Sequence, residues 1–301
     1  MAEALIGVVT ALGRREYDLL ELAGQSLAGL ADVARADHAG LEWVICLDGL
    51  GVDQEQIVRD CVSRSAVPAR VVSNSEEGGP GPARNAALAH ITAPWLLTLD
   101  SDDTIRPDGV IALLDALDGH PDAAWAAGRC DNVDPHGNLL WAGPEDYFQP
   151  GLIEVTSSFW QAKLATGGVP FICNATLGST AAVRAVGGWP LSKRDRAEDT
   201  ALWAVLTSRY LGVWVPAVGY NNRRRPASVT HQAGFRDLDE RLDEIAEMVA
   251  AGSTNWHRVA ESRRSLRRAR EPKGAGGVFP NERRPPLRSR VAHVLARRGR
   301  G

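Results

Sequence analysis

Trp95-Leu96-Leu97-Thr98-Leu99 runs directly into Asp100-Ser101-Asp102-Asp103, and Arg106-Pro107 follows a few residues later. The apolar run reads as a short buried strand, and the proline as the first position of a helix. Three carboxylates at the exit of such a strand repel one another and raise one another's pKa values. A divalent cation removes that cost, and oxygen-only ligands select a hard ion such as Mg²⁺ or Mn²⁺. Parallel sheets bind their ligands at the carboxyl ends of their strands, which is where this cluster falls. The same four residues also fit a capped helix start with solvated aspartates. The flanking sequence decides between the two.

Upstream, Gly7-Val8-Val9-Thr10-Ala11 reads as a first strand and the Leu/Ala-rich stretch from Tyr17 to about Ala34 as a helix. Leu41 to Leu47 is a second strand, too continuously apolar to lie at an edge. Gln54 to Ser63 predicts a helix and Ala69 to Ser73 a third strand. A Gly/Pro-rich loop from Glu77 to Pro82 then opens into a helix over Arg84 to His90. This alternation predicts an α/β fold with a mainly parallel, Rossmann-type sheet flanked by helices.

Downstream, the pattern predicts a helix from Pro107 to about Leu117 and a strand over Ala123–Arg129. Asp134-Pro135-His136-Gly137-Asn138 is a hairpin tip by composition. Ser157 to Ala165 reads as a short helix, and Asn174 to Val183 as a strand that Gly187-Gly188-Trp189-Pro190 breaks. A helix over Glu198–Tyr210, a strand over Leu211–Val215 and a helix over Arg236–Ala251 complete the pass. Residues to Arg270 continue as a basic helical extension, and from Glu271 Gly, Pro and Arg dominate, which predicts poor order.

With 301 residues, 44% hydrophobic and 24% charged, the chain can bury one large core or two smaller ones. Cys46, Cys61, Cys130 and Cys173 show no C-x-x-C spacing, so reduced thiols are expected rather than a disulfide framework. Met1 to Leu5 lacks the basic-then-apolar order of a signal peptide, and no apolar run reaches membrane-spanning length. A soluble, cytoplasmic protein is expected. Residues 258–301 carry fourteen Lys/Arg against three acids, whereas the rest of the chain is acidic. Such a tail suits a solvated helix face, an anionic membrane surface, or the protein's own acidic body or a second subunit in a homodimer. Its lack of interleaved aromatics argues against nucleic acid.

Four chemistry-bearing elements occur in order: Val8-Val9-Thr10-Ala11 with Arg14 and Arg15 beyond it, Leu47-Asp48-Gly49, Gly79-Pro80-Gly81-Pro82-Ala83-Arg84-Asn85, and Asp100–Asp103. All are expected at one end of consecutive parallel strands, converging on one cleft. A helix N-terminus reached through a flexible loop suits an anion, and Arg84 adds a planar donor pair. Carboxylates that hold a metal, facing such a loop, describe a site for a metal-bound diphosphate.

With these four elements, Gly187-Gly188-Trp189 and Glu198-Asp199, the chain resembles glycosyltransferase family 2 of the GT-A fold over roughly Leu5 to Thr230. The resemblance implies a catalytic domain over 1–230, with a nucleotide-binding half (1–104) and an acceptor half (105–230). Residues 231–270 would be a helical extension and 271–301 a tail. It implies a metal-dependent inverting transfer, with Mn²⁺ or Mg²⁺, from a UDP-, GDP- or dTDP-linked sugar to a hydroxyl or amine of a small molecule or glycan. Asp48 would contact the base, while Thr10, Ala11, Arg14, Arg84, Asp100 and Ser101 would line the nucleotide or its diphosphate. Asp102 would be the principal metal ligand with Asp100, and His231 would complete the shell. Asp103 would support the metal or cap the following helix. Asp199 would be the general base, with Glu198 as the substitute. The family's doubled aspartate is reduced here to Asp48, which leaves the donor base open.

Trp160, Trp189 and Trp203 suit either an acceptor wall or core packing. Arg223-Arg224-Arg225 suits phosphate. A sugar-nucleotidyltransferase would need a G-x-G-T-R-like signature after the first strand, which Ala11-Leu12-Gly13-Arg14-Arg15 does not supply. A non-catalytic sugar-nucleotide-binding protein on the same fold is disfavoured by Asp102 and Asp199.

Overall fold

Ile6, Val8, Val9 and Leu12 have no exposed surface, nor do Val44, Ile45 and Cys46 one strand away. Burial of consecutive residues means that both faces of these strands are covered, as the unbroken apolar runs require. The structure is a computed structural model that describes residues 4–13, 19–36, 40–65, 67–74, 78–143, 148–166, 173–191, 197–225, 238–255 and 258–259.

The N-terminal half contains β1 (Ala4–Leu12), α1 (Leu20–Ala36), β2 (Gly40–Asp48), α2 (Val52–Ser63), β3 (Ala69–Asn74), α3 (Pro80–Leu88) and β4 (Trp95–Thr98). A two-residue β5 (Thr104–Ile105), α4 (Pro107–Asp118), β6 (Trp125–Val133), β7 (Leu139–Trp141), β8 (Gly151–Ile153) and α5 (Ser157–Thr166) follow. After a 3-10 turn at Cys173–Ala175 come β9 (Thr176–Ser179), α6 (Thr180–Val186), α7 (Glu198–Thr207), β10 (Gly212–Arg223) and α8 (Leu238–Ala251).

All these strands share one sheet in the order β3-β2-β1-β4-β9-β6-β10-β5, with β7 on β6 and β8 on β10. Pairing is parallel across β3-β2-β1-β4, as expected. Beyond β4 the sheet is mixed. β9 runs antiparallel to both β4 and β6, and only β6 and β10 pair in parallel. Strand direction is set by the connections between strands, not by residue propensity, so local sequence did not disclose it. The Asp134–Asn138 turn does join an antiparallel hairpin: Asp134 accepts from the His136 and Asn138 amides, and Gly137 takes φ 89°.

One expected strand is cut short. Asn174–Val183 divides into the 3-10 turn, β9 and the start of α6. Ser179 caps α6 by accepting from the Ala182 amide, and Gly187, at φ 105°, ends it.

Two cores sandwich the sheet. Leu27, Val58 and Leu113, from α1, α2 and α4, pack with Ile6 and Val8 on one face. Ala87, Val183, Leu202 and Met248, from α3, α6, α7 and α8, pack with Val9 and Trp125 on the other. Each such aliphatic side chain contributes about 1.5–3 kcal/mol relative to an exposed one. The described part of the expected extension, α8, is therefore a layer of the domain: Ile245, Met248 and Val249 join the core that holds Trp203. Residues 260–301, with the basic tail, lie outside the described residues. Cys46, Cys61 and Cys130 are free thiols, and burial pushes Cys46 up to about 11 and Cys130 up to about 12. Among the described residues no helix is long and apolar enough to cross a membrane.

Candidate functional site

Because β1, β2 and β4 run parallel, Leu12, Asp48 and Asp100 emerge at the same edge of the sheet. The loop into α3 reaches that edge as well. Both Asp48 oxygens accept from it, Oδ1 from the Gly78 amide at 2.9 Å and Oδ2 from the Gly79 amide at 2.8 Å. Gly79 sits at φ 86°, and Pro80 then fills the first position of the helix. Asp48 thus fixes the loop that presents the α3 N-terminus.

Arg84 lies one turn into α3 and is 5% exposed. Its Nη2 donates to Asp100 Oδ1 at 2.8 Å and its Nη1 to Glu198 Oε1 at 2.5 Å. Burial alone would lower the guanidinium pKa, but Asp100, Glu198 and Asp199 together raise it, so the charge is permanent. Asn85, the next residue, exchanges two hydrogen bonds with Trp189: Nδ2 donates to the Trp189 carbonyl at 2.7 Å, and the Trp189 amide donates to Oδ1 at 2.9 Å. The Gly187-Gly188-Trp189 segment is therefore a dock for α3. Gly188 is at φ 68°, and any Cβ there would collide with the Asn85 side chain.

Asp199 stands half-buried in the first turn of α7, with Oδ1 accepting from the Thr200 amide at 2.6 Å. Burial and the Glu198 charge push its carboxyl up to about 6, against the opposing pull of Arg84. Ala197, immediately before the pair, has φ 58° and is the one non-glycine residue at positive φ among the described residues. That left-handed residue aims the first turn of α7 towards Arg84 at a cost in strain.

The aspartate cluster is not left unpaired by the chain, contrary to the expectation of three mutually repelling carboxylates. Asp100 Oδ2 accepts from Asn174 Nδ2 at 2.8 Å, in addition to the Arg84 pair. Asp102 Oδ2 accepts from Arg225 Nε at 3.0 Å and Nη2 at 2.6 Å. Asp103 neither caps α4 nor faces a ligand. It is 4% exposed, accepts from the Tyr220 hydroxyl at 2.9 Å and from the Arg223 amide at 2.6 Å, and the α4 cap position belongs to Arg106. Burial, then the neighbouring Asp102 and Asp100 charges, raises Asp103 well above the carboxylate range. Burial and Asp100 raise Asp102 too, while Arg225 opposes them. The Tyr220 hydroxyl, in turn, accepts from the Asp100 amide and from Asn174, so it ties the whole turn to β10.

Of the residues expected from sequence, the structure brings together Arg84, Asp100, Glu198 and Asp199, with Asp102 on the same turn as Asp100. Two expectations are corrected by burial. Thr10 has no exposed surface and its hydroxyl accepts from Trp43 Nε1 at 3.0 Å. Ser101 is 1% exposed and its hydroxyl is buried without a hydrogen-bond partner. Neither side chain has surface with which to line a ligand. Ala11, on β1, is itself at the margin of burial. Arg14 and His231 lie outside the described residues. Trp160, Trp189 and Trp203 are all buried and pack in the core, where Trp160 Nε1 donates to Thr207 Oγ1. Sequence reasoning missed Asn174 and Tyr220, and it missed Arg225 as the partner of Asp102. No local signal marks such partnerships, which join positions 46 to 123 residues apart.

No group of three or more His, Cys, Asp or Glu side chains is arranged to hold a metal among the described residues. The donor chemistry nevertheless fits a hard divalent ion. Asp100 and Asp102 offer oxygen alone, and the upward pull on Asp102 and Asp103 is the mark of surplus negative charge, which such an ion would neutralise.

Residues 24–163 match the family model described as "Glycosyl transferase family 2". Among curated proteins, the chain is 36% identical over 94 residues to the succinoglycan biosynthesis protein ExoO of Rhizobium meliloti, covering 28% of this chain and 26% of that protein. It is 24% identical over 216 residues to the uncharacterized protein y4gI of Sinorhizobium fredii, covering 66% of this chain and 22% of that protein. The chain thus spans about a quarter of the length of these relatives. Among solved structures, residues 1–349 of S. aureus TarS in complex with UDP superpose with TM-score 0.60 at 17% identity, covering 84% of this chain and 68% of that one. The TarS complex with UDP-GlcNAc gives TM-score 0.60 at 17% identity, covering 82% and 72%. The chain therefore carries a glycosyltransferase family 2 domain built on the GT-A fold.

Proposed function

We propose that this chain is a metal-dependent, inverting glycosyltransferase that moves a sugar from a nucleoside-diphosphate donor to a hydroxyl or amine. The observation that carries this reading is the Asp100–Arg84–Glu198 bridge. It fastens the diphosphate-facing edge of the sheet to the helix turn that bears Asp199, so the donor and base positions are held at a fixed relation. The α3 N-terminus, presented by Gly79, would receive the diphosphate. Asp199 would take the proton from the acceptor as its oxygen or nitrogen attacks the anomeric carbon. The bond from that carbon to the diphosphate breaks as the new one forms, and the nucleoside diphosphate leaves on the opposite side, which inverts the configuration. A carboxyl pushed up to about 6 is ionised at neutral pH yet basic enough to serve as a general base. Asp102 and Asp100 would hold the divalent ion, whose chemistry is to offset the charge that develops on the departing diphosphate.

UDP is the nucleotide to try first, because the superposing TarS structures hold UDP and UDP-GlcNAc. GDP- and dTDP-sugars form the comparison arms. Nucleoside diphosphate release from a panel of these donors, with Mn²⁺ or with EDTA, is the test. Release that needs Mn²⁺ and is lost in Asp102→Ala and Asp199→Asn supports the proposal. Pyrophosphate-dependent formation of a nucleoside triphosphate would point to a nucleotidyltransferase instead. Donor binding without turnover in every arm would reduce the protein to a binding module.

A further inference from the structure

Two arginines that follow one another closely on β10 are held in different ways. Arg223 is locked: its amide donates to Asp103, its Nε to the Asp102 carbonyl at 2.9 Å, and its Nη1 to the carbonyls of Asp134 and Pro135 at 3.2 and 2.8 Å. It is 7% exposed and acts as a fixed post beneath the aspartate turn. Arg225 lies just beyond the end of β10 and converges two donors, Nε and Nη2, on the single oxygen Oδ2 of Asp102. Both side chains of that pair are 17% exposed, so the grip is desolvated enough to matter and open enough to be exchanged.

Asp102 is also the carboxylate best placed to receive a divalent cation, because Asp100 is already engaged by Arg84 on one oxygen and by Asn174 on the other. A guanidinium and a divalent ion cannot share Asp102 Oδ2. Like charges at contact distance repel by several kcal/mol in a partly buried site, on the order of 4 kcal/mol for unit charges 4 Å apart. One must move when the other binds. The displaced guanidinium then needs a new anion, and a diphosphate supplies one with oxygens that match its planar fork.

Resting on the metal-dependent reading above, we propose that Arg225 competes with the divalent cation for Asp102 and is drawn onto the donor's diphosphate when both bind. Arg225 thereby couples metal and nucleotide: each raises the other's affinity, because the diphosphate removes the metal's competitor and the metal frees the arginine for the diphosphate. Such a coupling is reciprocal by linkage. It disfavours loading of either ligand alone.

The test is titration of Mn²⁺ into wild type, Arg225→Gln and Arg225→Lys, with free Mn²⁺ read by electron paramagnetic resonance. Titrations run with and without UDP and are corrected for Mn²⁺ held by UDP in solution; circular dichroism checks the fold of each variant. Without nucleotide, R225Q is expected to bind Mn²⁺ about tenfold more tightly than wild type, with R225K between them. UDP is expected to tighten Mn²⁺ binding by wild type about tenfold and to do so much less in R225Q. Equal nucleotide-free Mn²⁺ affinity in wild type and the variants overturns the competition while leaving the metal-dependent reading in place. Mn²⁺ binding by none of the three proteins, with or without UDP, overturns both. Where R225Q does not fold, R225K decides: it keeps the charge but loses the fork, and an affinity equal to wild type counts against the proposal.

Discussion

Arg84 and Glu198, 114 positions apart in the chain, form a buried ion pair, and the same guanidinium reaches Asp100. One side chain therefore joins the first turn of α3, the exit of β4 and the first turn of α7. The pair is at once a structural fastening and the support for the candidate base, Asp199.

Removing that guanidinium should be costly. Arg84→Met leaves Glu198 and Asp100 without their common partner, and breaking a buried pair costs about 3–5 kcal/mol. Urea denaturation measures this directly. Adding Glu198→Gln to Arg84→Met should restore part of the loss, because the stranded charge is removed as well. A double variant that is no more stable than the single one would show that the two residues are not coupled.

Asp199→Asn should cut turnover by about 10²–10⁴-fold while leaving donor binding intact. In wild type the rate should climb as pH rises through about 6, since only the ionised carboxylate accepts a proton. Steady-state rates between pH 5 and 8 provide the check, and a flat profile there would remove Asp199 from the role of base.

The same carboxyl predicts a stability slope of defined sign. Its pKa goes from 3.8 to about 6 on folding, so the folded state binds the proton more tightly than the unfolded one. The contribution is fully present below the unfolded value and is lost as pH rises through the folded one. Wild type should therefore lose roughly 2 kcal/mol from this group between acid and neutral pH. Asp199→Asn should flatten that component. Urea midpoints compared at pH 4.5 and 7 would reveal it.

Ala197, at φ 58°, gives a prediction of opposite character. Glycine adopts this conformation without the Cβ clash, so Ala197→Gly should be neutral or stabilising by up to about 1 kcal/mol. Ala201→Gly, inside α7, should instead cost about 1 kcal/mol. Thermal melts of the two variants should move in opposite directions, and parallel losses would show that Ala197 carries no strain.

The strands, the α3 loop and the order of the chemistry-bearing residues were legible in the sequence because each is a local pattern. Unbroken apolar runs gave β1, β2 and β4, glycine and proline marked the loop that Asp48 now holds, and the acid pair opened α7. The antiparallel seat of β9 and the helix after Ser179 were not legible, since both depend on what the chain meets there. Nor were the fates of individual side chains. The sequence could not separate Asp102, which faces Arg225, from Asp103, which is sealed under Tyr220, although the two are adjacent.

By itself, then, the sequence determined which edge of the sheet would gather acid, loop and helix N-terminus, because strand periodicity and parallel connection leave one end for the chemistry. Only the tertiary structure decided which carboxylate is exposed, which is buried and which cation each one meets. Those outcomes rest on contacts between residues some 15 to 125 positions apart, and burial and charge pairing exist only once the chain has closed on itself.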